Sequence, residues 1–299
     1  MTIIMFILLI LLVNSVFVLR FLTDLVKHKQ ALKTESGHPL LLATALALIF
    51  FLSTLGISDF ALSTLFYRKM KLVHDKMLPG TLNVQCVIPV AVMALVYISV
   101  IKVDVLTLVV CIIAQIIGAY YGPRFVIKFS ANTIKKLMGI GLILASLFIL
   151  AGKFNLMPHG GTAMALSYYK LVVAALCLFI FGALNNVGIG SYSPTMVTIY
   201  ALGLNPVAAF PIMMSASACS VSMGSMQFIK YGHYQRKLSL FAAIFGVLGV
   251  LLGVYFVNKL DVSMLQWIMA GVLFYSGNRM LLEAFKTLPP TQIWEKNEV

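Results

Sequence analysis

The sequence predicts an all-α polytopic membrane protein made of two inverted-topology repeats, each a broken-helix hairpin plus three transmembrane helices, preceded by one extra N-terminal helix. Three observations predict it: apolar runs of membrane-crossing length, a match between the two halves, and the placement of lysine and arginine. Of 299 residues, 61% are hydrophobic and 10% charged, with mean hydropathy +1.00. A soluble domain carries about 25% charged residues, so a water-soluble fold is excluded. Charge-free apolar runs cover 3–19, 39–57, 79–101, 105–122, 137–152, 171–189, 206–229, 238–258 and 262–278. Most are long enough for a helix to cross a hydrocarbon layer about 30 Å thick.

The net charge of +13 does not point to nucleic acid. The basic residues sit in short loops between spans, with no polar face that interleaves them with stacking aromatics, so topology accounts for them. Cys86, Cys111, Cys177 and Cys219 all fall inside apolar runs, without metal-site spacing, and read as small buried hydrophobes. The first run lacks a basic leader and a small-residue cleavage site, and Arg20, Lys27, Lys29 and Lys33 follow it. It is expected to stay as a helix with its N-terminus outside.

Sliding the chain against itself gives two matching offsets. At 131 residues, Gly118, Gly122, Phe125, Val126, Lys128, Met138, Leu142 and Leu150 meet Gly249, Gly253, Phe256, Val257, Lys259, Met269, Leu273 and Leu281. At 132, Gly56, Ile57, Leu72 and Pro79 meet Gly188, Ile189, Leu204 and Pro211. A one-residue gap joins the registers. The expected organisation is one integral membrane domain: an N-terminal helix and cytoplasmic loop (1–38), repeat one (39–152), a linker containing Pro158, His159, Gly160 and Gly161 (153–168), repeat two (169–286) and a tail (287–299).

Each half opens with an apolar segment, a polar or glycine-rich break and a short second segment. The first break holds Ser53, Thr54, Gly56, Ser58 and Asp59; the second holds Asn185, Asn186, Gly188, Gly190, Ser191 and Ser193. Read as hairpins that return to their own side, they leave three full crossings per half, and an odd number of crossings inverts the second copy. Lysine and arginine agree with this. Arg20, Lys27, Lys29, Lys33, Arg68, Lys69, Lys71, Lys76, Arg124, Lys128, Lys135, Lys136, Lys230, Arg236, Lys237, Arg279, Lys286 and Lys296 fall on one side; Lys102, Lys153, Lys170 and Lys259 fall on the other. That is 18 against 4 of the 22 basic residues, the bias expected of cytoplasmic loops, with the C-terminus inside and a plasma (inner) membrane location.

A break in mid-membrane is tolerated only where protein or a wet cavity surrounds it, and two matched breaks in inverted copies should meet at the midplane. There the exposed amides and positive dipole ends of the following helices form an anion site. Ser193 reads as an N-cap with Pro194 at the first helical position, Ser58 and Asp59 as the equivalent cap, and Asn205 with Pro206 as the start of the next span. Neutral donors on the helices after the breaks complete the candidate substrate site: Thr81, Asn83 and Gln85 in the first half, Ser215 and Ser217 in the second, with Ser220 and Ser222 nearby.

The doubled plan, the glycine break with a proline-initiated short helix, the hydroxyl-rich next span and Gly-x-x-x-Gly followed by a basic residue together resemble the sulfite exporter family of TauE/SafE type, over about residues 39–286. The resemblance implies transport of small sulfur-containing anions such as sulfite, sulfoacetate or related sulfonates. Where that family tends to Gly-Ile-Gly-Gly-Gly, this chain has Gly56-Ile57-Ser58-Asp59 and Gly188-Ile189-Gly190-Ser191.

Asp59 is the one acid in a break, readable as a helix cap or as a coupling residue that carries protons. Asn185 and Asn186 read either as interhelical glue or as substrate-facing amides. The paired glycines read as close helix packing, Arg279 and Glu283 as an i,i+4 ion pair, and His159 as a loop residue without a nucleophile beside it. No paired carboxylates, His cluster or nucleophile-base set lies inside the spans, so the expectation is no enzyme, no cofactor and no metal. The expected partners are a small anion, with protons as candidate coupling ion, and the lipid bilayer, in a monomer or homodimer. A carboxylate or other small-anion transporter, or a non-transporting assembly subunit, stays open as the alternative.

Overall fold

A computed structural model describes residues 2–54, 58–98, 104–156, 161–188, 190–256 and 262–285. Gly56, Ile57, Ile189, Pro158, His159, Gly160, Lys102, Val257, Lys259, Lys286, Lys296 and the expected tail lie outside the described residues. What is described is helical, apart from turns and one isolated bridge between Ala163 and Leu204.

The helices follow the expected order. α1 spans Thr2–Lys27, and a single turn, α2 (Ala31–Thr34), follows it. In the first half, α3 (Pro39–Thr54) and α4 (Asp59–Lys69) flank the break, and α5 (Leu78–Ile98), α6 (Val105–Val126) and α7 (Ala131–Lys153) come after. In the second half, α8 (Tyr168–Asn185) and α9 (Tyr192–Ala201) flank the break, followed by α10 (Pro206–Tyr231). Next comes a span built from α11 (Arg236–Phe241), a π-turn at Ala242–Gly246 and α12 (Val247–Phe256), then α13 (Val262–Phe285). Six helices among the described residues are long and apolar enough to cross a membrane: Ile7–Lys27, Leu78–Val96, Val105–Val126, Ala131–Lys153, Tyr168–Asn185 and Arg236–Phe256. The outer surface is correspondingly apolar, with Leu12, Leu19, Leu106, Leu176 and Leu251 exposed. Such a surface needs lipid to cover it.

Polar contacts sort the helix ends into two groups. At one end Arg236 Nε binds Asp24 Oδ2 at 2.7 Å, and Lys237 binds Glu35 Oε2 through its backbone N–H at 2.7 Å and the Gly37 carbonyl through Nζ at 2.7 Å. Gln235 donates its backbone N–H to Thr81 Oγ1 at 3.0 Å. Asp75 takes Lys135 at 3.1 Å and Arg68 at 3.6 Å, and Arg68 also pairs with Glu283. This basic end therefore gathers the end of α1, the start of α3, the end of α4, the starts of α5, α7 and α11, and the ends of α10 and α13. Burial raises the pKa of Glu35, and the hydrogen bond from Lys237 opposes that shift.

The residues just before α8 tie the other end together. Asp104 N–H donates to the Met164 carbonyl at 3.2 Å, Leu166 N–H to Thr107 Oγ1 at 3.1 Å, and Asn205 N–H to the Ala163 carbonyl at 2.7 Å. Lys170 Nζ reaches the Leu202 carbonyl at 2.8 Å, so α8 begins where α9 finishes. Both outer ends of the α3–α4 pair thus lie at the basic end, and both outer ends of the α8–α9 pair lie at the linker end.

Glycines fix which helices touch. α6 packs along α8, and α12 along α3. A Cβ on Gly118 would collide with the Phe179 carbonyl, and one on Gly249 with the Ala47 carbonyl. A Cβ on Gly122 would meet Asn186 and the Ala183 carbonyl, and one on Gly253 would meet Thr54 and the Phe51 carbonyl. Adding 131 to each first-half glycine and 132 to Ala47, Phe51 and Thr54 turns one set of contacts into the other. Close backbone packing, the expectation for these Gly-x-x-x-Gly pairs, is what they do. The expected Arg279–Glu283 pair is present at 3.6 Å, shared with Arg68. Cys86, Cys111 and Cys219 are buried as expected, while Cys177 is half-buried.

Candidate functional site

At 1.5 Å per residue, the 11 residues of α4 and the 10 of α9 measure about 16 and 15 Å. That is half of a hydrocarbon layer about 30 Å thick. Both short helices run from a break out to opposite ends of the molecule, so each carries its positive, N-terminal end inward. The breaks meet: a Cβ on Gly190 would stand 3.6 Å from Ser58 Oγ.

At α4 the expected cap is present. Ser58 is the N-cap and its Oγ accepts from Ala61 N–H at 3.4 Å, with Asp59 as the first helical residue. At α9 the expectation is corrected. The helix begins at Tyr192, so Ser193 and Pro194 lie in its first turn and Ser191 holds the cap position. Pro194 is tolerated because the first-turn N–H groups have no intrahelical acceptor. Ser191 makes no cap bond with its side chain, because its hydroxyl is used elsewhere: Gln115 Nε2 donates to it at 3.2 Å and Ser217 Oγ lies 3.4 Å away. Of Ser193 only the backbone is described. Gly188, in the turn before the break, has φ +96°, which favours glycine. The start of α10 at Pro206 is as expected.

Amides tie the two halves across this centre. Asn185 Nδ2 donates to Asn83 Oδ1 at 3.2 Å, Asn83 Nδ2 donates to the Asn185 carbonyl at 3.3 Å, and Asn185 Oδ1 accepts from Ser191 N–H at 3.2 Å. Gln115 Nε2 also donates to Ser220 Oγ at 3.1 Å. Toward α4, Gln85 Nε2 donates to Ser63 Oγ at 2.7 Å and Gln85 Oε1 accepts from Tyr67. Pro89, four residues on, has no N–H to give the Gln85 carbonyl, so α5 is locally open beside the site.

Not every predicted residue joins this centre. Thr81 sits in the first turn of α5, accepting from Gln235 and donating to the Met77 carbonyl at 2.8 Å, at the basic end. Asn186 donates to the Ala119 carbonyl at 3.1 Å and the Gly182 carbonyl at 2.9 Å, the glue role, while its Oδ1 is buried without a partner among the described residues. Ser215 is buried but two positions from Ser217, and residues at that spacing do not share a helix face. Ser58, Asp59, Asn83, Gln85, Asn185, Gly190, Ser191 and Ser217 are brought together. Gln115, Ser63, Tyr67 and Thr195 were not anticipated. Gln115 had a readable signal, as a lone amide within the charge-free run 105–122.

Asp59 Oδ2, Gln115 Oε1 and Thr195 Oγ1 in this centre, and Asn186 Oδ1 and Ser215 Oγ next to it, are buried with no hydrogen-bond partner among the described residues. Buried polar atoms are rarely left so, and where they are, water or a ligand is the usual partner. No lysine or arginine lies on α5 or α9, and α4 and α10 carry theirs only in the last turn. The chemistry on offer is therefore neutral hydroxyl and amide donors plus two helix N-termini.

Apolar helices of spanning length around a polar centre of this kind define a polytopic membrane protein. Residues 171–298 match the family model described as Sulfite exporter TauE/SafE. The resemblance drawn from the sequence, to a family of transmembrane permeases, is thus found over the second half of the chain. Neither the curated proteins nor the solved structures contain a match to this chain.

Proposed function

We propose that this protein is a permease that moves a small anion, a sulfur oxyanion or organosulfonate such as sulfite or sulfoacetate, by alternating access around the paired breaks. The observation that carries the reading is the meeting of two helix N-termini, with Ser58 beside Gly190, in a shell of neutral donors. Helix N-termini bind anions through free N–H groups and dipole, and neutral donors cost less to desolvate than cations. An oxyanion with several acceptors can use the unpartnered hydroxyl of Thr195.

The two copies are read as inverted repeats. Hairpins that open at opposite ends, and the exchange of partners at Gly118, Gly122, Gly249 and Gly253, support it. The concentration of lysine and arginine contacts at one end supports reading that end as cytoplasmic. Alternating access then amounts to one set of hairpins rocking against the rest about a fixed centre.

Counterflow in proteoliposomes tests the reading. Vesicles preloaded with unlabelled sulfite or sulfoacetate should take up the labelled anion faster than protein-free vesicles, and carboxylates such as acetate should compete weakly. Exchange of carboxylates but not of sulfur anions would move the substrate class. Exchange of neither would leave no permease.

A further inference from the structure

We propose that Asp59 is the proton-binding residue of this permease, and that an anion occupies the centre only while that carboxyl carries a proton. The inference rests on the anion-permease reading and adds the coupling ion to it.

Asp59 is 1% exposed, and its Oδ2 has no hydrogen-bond partner among the described residues. The titratable groups that face it are Tyr67 on its own helix and Cys86 on α5, neither of them a cation. α3 packs against α4 and holds no ionisable residue from Pro39 to Thr54. The turn 186–191 of the facing break holds none either. The first N–H groups of α4 lie beside the carboxyl, but no cation among the described residues does, and a proton is the simplest neutralising partner for a buried acid so placed.

Position turns this into coupling. Asp59 directly follows Ser58, whose Oγ sits 3.6 Å from where a Cβ on Gly190 would stand, so the acid adjoins the break where an anion at the start of α9 would be held. Two negative charges there repel strongly, because little solvent screens them. The copies are also unlike at this point: residue 59 + 132 is Ser191, so where the first copy has an acid the second has a hydroxyl. The first break is the proton end and the second the anion end. In each cycle a carboxylate oxygen of Asp59 takes a proton from water on the entry side, the anion binds, and after it leaves the proton returns to water on the exit side. No other bond changes.

The experiment uses sulfoacetate, whose two acid groups stay ionised around neutral pH, so a proton taken up on binding belongs to the protein. Adding sulfoacetate to the purified wild-type protein in weak buffer should cause uptake of protons, read with an indicator dye. In proteoliposomes an inward proton gradient should accumulate sulfoacetate, raising uptake above exchange without a gradient. In Asp59→Asn that ratio should fall to one whatever the absolute rate, and Asp59→Glu, which restores a titratable carboxyl, should recover part of it. Wild-type exchange with no proton uptake and no response to the gradient overturns the inference and leaves the permease reading standing, as does an Asp59→Asn protein that still answers the gradient. Absence of sulfoacetate exchange in the wild type overturns both. Should Asp59→Asn fail to fold, the wild-type proton uptake decides alone.

Discussion

Asn185, at the last turn of α8, and Asn83, in α5, bind each other twice, side chain to side chain at 3.2 Å and side chain to backbone at 3.3 Å. The pair joins the second copy's break to the first copy's third helix. It also presents Asn185 Oδ1 to the N–H of Ser191, so the start of α9 is held by an amide from just before the break.

Removing that amide should therefore cost both stability and transport. Asn185→Ala strips partners from two buried groups, a loss of about 1–3 kcal/mol. A lower midpoint in detergent thermal unfolding is expected, with slower counterflow. Asn185→Asp keeps the shape and adds a negative charge beside the anion, and should reduce counterflow by about tenfold or more. Faster exchange in that variant would place the anion elsewhere.

Gln115 is expected to matter as much as any residue in the breaks. It is fully buried and bridges Ser191 to Ser220. Gln115→Leu takes one partner from each of two buried hydroxyls, leaving Ser191 only Ser217 Oγ and Ser220 only the Ser217 carbonyl, and should weaken sulfoacetate protection against heat by about an order of magnitude in apparent affinity. Protection equal to wild type would reduce Gln115 to a structural bridge.

Substitution of the glycines should divide cleanly by contact. Gly118→Leu and Gly249→Leu both drive a side chain into a carbonyl of the neighbouring helix, a cost above the roughly 1–3 kcal/mol of ordinary overpacking. Both should lose folded yield to a similar degree on size-exclusion chromatography. Gly271→Ala, with nothing within 4 Å of the added atom, should keep it.

Side-specific labelling should follow the two groups of helix ends. Single cysteines replacing Lys128 and Lys230 should react with an impermeant maleimide from the same side, and one replacing Asn155 from the opposite side. Reaction of Lys128→Cys and Lys230→Cys from opposite sides would remove the inverted-repeat reading.

Much of this architecture was legible because its causes are periodic or compositional. Charge-free runs marked the spans, and the glycines at 118, 122, 249 and 253 marked places of close helix packing, though not which helices meet there. The breaks were legible too, since Ser58 caps α4 and glycine or serine interrupts both apolar segments. The start of α9 was misplaced by two residues because a Ser-Pro step is a strong local signal, while the use of Ser191 depends on Gln115, 76 residues away. Asn186 could not be told from Asn185 by position in the sequence. Its amide faces the seam with α6, and only helix packing decides that. The row formed by Ser63, Tyr67 and Gln85 was hidden for the same reason: it needs α4 and α5 side by side.

The crossed seating of the glycines has a consequence for how such a chain can come to exist as a folded object. α8 lies along α6 rather than along α12 of its own copy, and α3 lies along α12 rather than along α6. Each half of the chain lends its arm to the other, as two people do who link elbows. A gene cut between Lys153 and Tyr168 would yield two fragments that each lack a surface for their own arm, and only their synthesis together in one membrane would let them close.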